Sequence, residues 1–160
     1  MKILDALLAA VKQCQNQDNE EEGGVILFHP EKDEYKFVKL TNSNAGNPIA
    51  RVLWTADRQE HYDLVIKQFS EGWRQHASFH THPVFAPFPS QIDTYQLFPG
   101  FPLNYIYSPI FSSIASYSFD VKREQDDMVH WEEAFTVDLA HELIELCDKQ
   151  NLTEEIYSFQ

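Results

Sequence analysis

The amino-acid sequence predicts a mixed α/β sandwich that forms one domain over residues 1–160. Two features indicate this fold: short apolar runs bounded by glycine or proline, and longer stretches with apolar residues at helical spacing, which alternate along the chain. The length of 160 residues and the 43% of hydrophobic residues are sufficient for a substantial core. Disorder is excluded because a disordered chain has too little apolar surface to offset its conformational entropy.

Helical periodicity identifies two segments, and weaker signals identify two more. Near the N-terminus, five apolar residues recur at helical spacing: Ile3, Leu4, Leu7, Leu8 and Val11. A second stripe predicts a helix over residues 57–73, through Tyr62, Val65, Ile66, Phe69 and Trp73. We also expect one helix to begin at Ser90 and another to cover residues 138–149.

The strands are predicted from short apolar runs between turn residues. Gly23 and Gly24 lead into the first strand, which covers residues 25–28, and Tyr35 opens the second. The remaining predicted strands lie around residues 53–54, 77–80, 104–107, 114–119 and 129–137. The order of these elements places both helices and strands in each half of the chain.

The charge of the chain argues against several classes of partner. The formal net charge is −13, with 12 Lys and Arg against 25 Asp and Glu, whereas nucleic-acid binding depends on cations that neutralise phosphates. An anionic membrane surface is disfavoured for the same reason, and no segment approaches the roughly 20 apolar residues needed to span a bilayer. Two cysteines do not make a disulfide framework, so we expect a cytoplasmic protein.

One segment carries the clearest chemical pattern. His80-Thr81-His82 is followed, after seven residues, by Ser90-Gln91-Ile92-Asp93. Side chains at i and i+2 of a strand point to the same face, so His80 and His82 can present two imidazoles to one point. If Ser90 begins a helix, Asp93 lies one turn into it and near the end of that strand. Two histidines and one carboxylate are a common catalytic zinc set that leaves one position for water, which favours hydrolysis of an amide or ester.

Each part of this pattern also has a simpler explanation. Two histidines one residue apart occur often by chance, and Ser90 with Asp93 matches a helix cap. The combined spacing is more specific than either part. A zinc hydrolase further needs a general base. Residues 20–22 are all glutamate and stand just before Gly23, either as a solvated acidic cluster or with one carboxylate reaching the metal-bound water.

The full pattern resembles a known motif. Glu-x-Gly-Gly before an apolar strand, followed by His-x-His-x(7)-Ser-x-x-Asp, resembles the JAMM motif of the JAB/MPN (MPN+) zinc metalloproteases. Residues 42–48 also look like the Asn-Ala-Pro-bearing loop of bacterial members. The resemblance extends over residues 1–120. It implies the cytidine-deaminase-like JAB/MPN fold, in which a mixed sheet is flanked by helices.

The resemblance also implies the roles of individual residues. His80, His82 and Asp93 would hold one zinc ion per chain. Glu21 would be the general base, and Ser90 would stabilise the oxyanion of the tetrahedral intermediate.

The substrate implied by the resemblance is a protein. The chain would act as an isopeptidase or peptidase that cleaves after the C-terminal glycine of a ubiquitin-like protein, as in bacterial antiphage conjugation operons with E1-like and E2-like partners. Phe85 and Phe88 flank the expected ligands, as do Phe98 and Phe101. These aromatic residues either bind the extended tail of the substrate or pack the loops onto the core.

Three other functions stay open at this point. The first is a hydrolase of the same fold that acts on a conjugate of a sulfur-carrier protein. The second is a RadC-like DNA-associated protein, against which the strong acidity argues. The third is a non-catalytic MPN scaffold, which would bind no metal.

Overall fold

A mixed sheet with one helix against each face forms the framework of the described chain. The computed structural model describes residues 2–89, 103–120, 126–147 and 152–157. The helices are α1 (Ile3–Gln13) and α2 (Arg58–Ser70). The strands are β1 (Gly23–His29), β2 (Glu34–Leu40), β3 (Arg74–Thr81), β4 (Asn104–Ser108), β5 (Ser113–Asp120), β6 (Asp126–Asp138), β7 (Leu143–Leu146) and β8 (Leu152–Tyr157). This α/β architecture confirms the predicted fold class.

The order of the strands places β3 beside both β1 and β4. The strand order is β2-β1-β3-β4-β5-β6-β7. Strand β6 pairs with β8 as well as with β7. The β3–β4 pair is parallel, and every other pair among the described strands is antiparallel. Parallel neighbours end at the same edge of a sheet. The C-terminal ends of β3 and β4 therefore lie together, where the chain leaves β3 for the loop that follows His82.

Side-chain alternation along the strands divides the core into two clusters. On one face, α1 buries Leu7 and Val11 against Ile26 and Phe79. The helix is favoured by its alanines and by Asp5 near its N-terminus, whose carboxylate accepts a hydrogen bond from the Lys2 amide. The predicted first helix is thus confirmed, and it covers this face of the sheet.

The opposite face carries a smaller cluster that includes two tryptophans. Trp54 and Trp73 pack with Val25 and Leu27, and Leu64 of α2 packs against them. The predicted strand at residues 53–54 is wrong, because this segment makes only an isolated bridge between Asn42 and Ala56. The segment crosses the face of the sheet instead of extending its edge, and burial of the indole holds it there.

The second helix is confirmed, but its apolar stripe does not face the core. Tyr62, Ile66 and Phe69 are 62%, 54% and 49% exposed, and α2 has no buried residue. Asp57 caps the N-terminus of the helix, because its side chain accepts a hydrogen bond from the Glu60 amide. Within the described residues, neither helix is long and apolar enough to cross a membrane.

The strand predicted over residues 129–137 is confirmed as β6, but the helix predicted over residues 138–149 is wrong. No α-helix covers the described part of residues 138–149, where β6 ends, a short 3-10 helix (Leu139–His141) follows and β7 returns along β6. The Asp138 side chain accepts a hydrogen bond from the His141 amide, and Glu142 has a positive φ of 49°, so the chain reverses direction there. The pairing of β7 with the edge of β6 outweighs the weak helical periodicity of this segment. The helix predicted to begin at Ser90 lies outside the described residues.

Gly23 permits the close approach of β1 to β3 that builds this part of the sheet. A Cβ atom at this position would lie 2.2 Å from the Phe79 carbonyl oxygen and 2.9 Å from His80 Cβ. Both distances are shorter than van der Waals contact. The sequence Gly23-Gly24 is therefore required by packing between neighbouring strands.

We expect Gly23→Ala to lower the free energy of unfolding by about 3 kcal/mol, the upper end of the overpacking range, because the clashing atom is backbone. Urea denaturation followed by circular dichroism measures this. Gly46→Ala is the matched control: Gly46 has a φ of +83° but open space around it, so only backbone strain of about 1 kcal/mol is expected. Equal stability of the two variants would contradict the tight approach.

Candidate metal centre

The register of β1 against β3 places one glutamate on the same face as two histidines. Gly23 pairs with His80, and in an antiparallel pair each step back on one strand matches a step forward on the other. Glu21 is therefore opposite His82. Since residues two apart share a face, Glu21, His80 and His82 all project to the same side of the sheet.

Backbone hydrogen bonds extend this pairing beyond the end of the regular strand. The Thr81 amide donates to the Glu22 carbonyl oxygen at 2.9 Å, and the Glu22 amide donates to Thr81 Oγ1 at 3.0 Å. A further bond joins the His82 amide to the Tyr107 carbonyl oxygen at 2.8 Å. The histidine segment is thus fixed between β1 and β4.

The three side chains form a compact, buried group. One ligand atom from each of Glu21, His80 and His82 lies within 4.8 Å of the others, and Glu21 Oε1 is 3.9 Å from His80 Nε2. Their residues are 2%, 5% and 4% exposed. In the described ranges, no other group of three His, Cys, Asp or Glu side chains has this geometry.

His82 is oriented by the loop that follows it. Its Nδ1 lies 2.8 Å from the carbonyl oxygen of Ala86. Because a carbonyl oxygen only accepts, Nδ1 carries the hydrogen and donates it. The lone pair of the neutral ring is then on Nε2. Metal-binding histidines commonly have this arrangement, which fixes both the tautomer and the direction of the ring.

His80 is held by a stacked indole. The rings of His80 and Trp54 are nearly parallel, with an interplanar angle of 4° and a centroid separation of 5.9 Å. Trp54 is itself buried and is only 7% exposed. Its contact with His80 has no sequence signal, because it depends on the path of the whole loop between β2 and α2.

The structure distinguishes among the three consecutive glutamates. Glu20 accepts hydrogen bonds from the Gly46 amide, and Glu22 accepts from the Asn16 amide and the Lys39 ammonium group. Both carboxylates therefore have partners away from the histidines. The Glu21 carboxylate is the one that lies beside His80, with 3.9 Å between Oε1 and Nε2.

The donor set is suited to a divalent metal ion. Two imidazoles and a carboxylate are typical ligands for zinc and other first-row transition metals. A buried carboxylate is costly unless it is paired, hydrogen-bonded or bound to a metal. The residues present therefore fit a metal ion. Asp93 and Ser90 lie outside the described residues, so their roles as third ligand and oxyanion donor stay predictions.

Comparison with protein families agrees with this geometry. The family model for prokaryotic homologs of the JAB domain matches residues 4–134, which is most of the chain. The chain belongs to the prokaryotic JAB family. The resemblance stated from the motif is thereby confirmed, and the α/β fold of this JAB domain is that of its family.

Two of the solved structures similar to this JAB domain are solution structures of bacterial proteins. The solution structure of a Desulfitobacterium hafniense protein has a TM-score of 0.59 and 20% identity, covering 81% of this chain and 85% of that one. A Salinibacter ruber protein, also 20% identical, has a TM-score of 0.47 and covers 84% of this chain and 86% of that one. The first supports the fold. No curated protein matches the JAB domain significantly.

The predicted substrate-binding aromatics are accessible. Phe85 and Phe88 are 51% and 42% exposed, so neither is packed fully into the core. Their loop is fixed next to the candidate metal centre by the hydrogen bond to His82 and by Ser108 Oγ, which donates to the Phe85 carbonyl oxygen at 2.7 Å. Phe98 and Phe101 lie outside the described residues.

The buried cysteine, Cys14, is not placed to act as a nucleophile. Cys14 caps the C-terminus of α1 and is 2% exposed; burial, and to a lesser extent the charge of Glu22, raises the pKa of its thiol to about 12. Cys147 is half-buried and lies just after β7. A thiolate is the reactive form of cysteine, so Cys14 is inert at neutral pH.

We expect the native JAB domain to react with Ellman's reagent at Cys147 alone between pH 7 and pH 9, because the pKa of Cys14 lies above this range. Absorbance at the thionitrobenzoate band measures the released thiols. The Cys147→Ser variant should give no rapid reaction until it is unfolded in guanidinium. Rapid labelling of that variant in its native state would contradict the burial of Cys14.

We expect the JAB domain to bind one divalent ion per chain, and His80→Ala or His82→Ala to weaken this binding at least 100-fold, because each removes a nitrogen ligand. Elemental analysis after titration with zinc measures the stoichiometry. His141→Ala is the control, since His141 is exposed and lies outside the group. Equal metal content in all three variants would show that the histidine pair is not the site.

Proposed function

We propose that this JAB domain is a zinc-dependent isopeptidase or peptidase that cleaves after the C-terminal glycine of a ubiquitin-like protein. The observation that carries the proposal is the buried convergence of Glu21, His80 and His82. Membership of the JAB family supports it. The product would be either a matured ubiquitin-like protein or one released from a lysine side chain of a conjugate.

The two imidazoles and one further carboxylate would hold the ion. His80 and His82 supply two nitrogens, and Asp93 is the predicted third ligand. A bound zinc ion supplies Lewis acidity, which polarises a carbonyl group and makes water nucleophilic near neutral pH.

Glu21 would transfer the proton. Its carboxylate accepts a proton from the attacking water as the oxygen–carbon bond forms. It then donates that proton to the leaving amine as the carbon–nitrogen bond breaks. Its position supports this role, because the carboxylate lies 3.9 Å from the His80 ring while the neighbouring glutamates are bound elsewhere.

The burial of the site favours a slender substrate. Because these side chains are only 2–5% exposed, the surface of a folded protein would not contact them, and an extended tail that ends in glycine is the narrowest part of a protein substrate. Phe85 and Phe88 offer exposed apolar surface beside the same loop, where larger residues upstream of the glycine would bind. A ubiquitin-like or sulfur-carrier protein has a tail of this kind.

We expect Glu21→Gln to keep the bound metal but to lose at least 100-fold in kcat, because the amide is shaped like the carboxylate but does not accept a proton. A ubiquitin-like protein fused through its terminal glycine to a fluorescent reporter is the substrate, and gel electrophoresis follows cleavage. A sulfur-carrier conjugate and an isopeptide-linked conjugate are assayed in parallel. Chelation should stop cleavage, and added zinc should restore it.

The variant and the chelator separate three outcomes. If Glu21→Gln stays active, Glu21 is not the general base. If the variant loses its metal, Glu21 is a ligand. If wild-type protein cleaves none of the substrates or cleaves them equally with chelator, the proposed function is wrong. The matched control is Glu20→Gln, which removes a carboxylate bound to the Gly46 amide and should leave kcat unchanged.

A further inference from the structure

Glu21 stands outside the regular hydrogen-bond ladder of the sheet. Strand β1 begins at Gly23, two residues later. The amide of Glu21 donates to the Ala50 carbonyl oxygen at 2.7 Å, and its carbonyl oxygen accepts from Asn42 Nδ2 at 3.0 Å. The backbone that carries the carboxylate is therefore held on both sides by the loop between β2 and α2.

Asn42 is buried and uses both ends of its side-chain amide. It is 6% exposed, and Nδ2 donates a second hydrogen bond to the Leu53 carbonyl oxygen at 2.9 Å. Its Oδ1 accepts from the Asn44 amide at 3.0 Å and from the Thr55 amide at 3.4 Å. One side chain thus joins Glu21 to two separate points of the loop.

Two of these bonds flank Trp54, which stacks on His80. The Leu53 carbonyl and the Thr55 amide are the backbone groups on either side of this indole. The side-chain amide of Asn42 therefore fixes the backbone of Glu21 and also the segment that carries the Trp54 indole, which stacks on His80. No sequence signal indicates this connection, because 21 residues separate Asn42 from Glu21.

We infer that Asn42 is a positioning residue that sets the distance between the Glu21 carboxylate and the His80–His82 pair. The expected loss of kcat rests on the proposed function. The expected change in the metal centre rests on the geometry alone. The arrangement requires two donors and an acceptor on one short side chain, which asparagine has and aspartate lacks.

The test compares Asn42→Ala and Asn42→Asp with a matched control. Asn42→Asp keeps the shape and the acceptor oxygen but directs a second oxygen at the carbonyls of Glu21 and Leu53. Asn47→Ala is the control, because Asn47 lies in the same loop and its side chain accepts from the Ile49 amide without reaching Glu21. Each protein is loaded with cobalt(II), which reports ligand geometry through its visible absorption, and is also assayed with the reporter fusion.

We expect both Asn42 variants to lower kcat about 10- to 100-fold per cobalt-loaded molecule while KM changes less than about threefold. The visible bands of the cobalt-loaded protein should also change. Asn47→Ala should match wild type in both measurements. A loss of folded protein alone would lower the yield of loaded molecules without changing their kcat or spectrum, so a merely structural role is distinguished.

Two results would overturn the inference. The first is a loaded Asn42 variant with wild-type kcat and spectrum. The second is wild-type protein that binds no cobalt, which removes the centre itself. If wild-type protein binds cobalt but cleaves nothing, the proposed function fails and the spectra decide alone: altered bands in the Asn42 variants support the positioning role. If Asn42→Ala does not fold, Asn42→Asp supplies both readouts.

Discussion

The candidate centre depends on the pairing of β1 with β3 in one register. Gly23 lies opposite His80, and no side chain larger than hydrogen fits between the Phe79 carbonyl and the imidazole-bearing residue. A shift of one residue would turn every side chain of β1 to the other face. It would turn Glu21 toward the core cluster that α1 covers and remove its carboxylate from the histidines. The steric constraint at Gly23 thus determines whether Glu21 lies beside His80 and His82.

Around this register, the chain fixes each group with a different interaction. The His82 ring is directed by a backbone carbonyl in its own loop, and the His80 ring is supported by a stacked indole. Glu21 is held by the loop between β2 and α2, while Glu22 is bound to Lys39 and Asn16 and so is kept away from the centre. These supports come from distant parts of the chain. The centre is therefore a product of tertiary packing around a short local motif.

Local patterns were sufficient to predict the helices α1 and α2, most strands and the shared face of the histidine pair. These features depend on residues close in sequence: the 3.6-residue period of Ile3 to Val11, and the two-residue period of His80 and His82. The contact of Trp54 with His80 and the bond from Asn42 to Glu21 were not predictable, since both depend on how a long loop crosses the sheet. Beyond Asp138, the predicted helix was wrong, because pairing of β7 with the edge of β6 outweighs the weak helical periodicity of that segment.

The two halves of the centre belong to parts of the fold with different local stability. His80 lies in β3, a central strand with neighbours on both sides, and His82 directly follows that strand and is bonded to the Tyr107 carbonyl oxygen. Glu21, by contrast, lies in a connection held mainly by bonds to the loop between β2 and α2. Regions of the second kind open at lower free energy than central strands. Warming would therefore affect the two halves in sequence: the connection that carries Glu21 would detach first, while His80 and His82 keep their places.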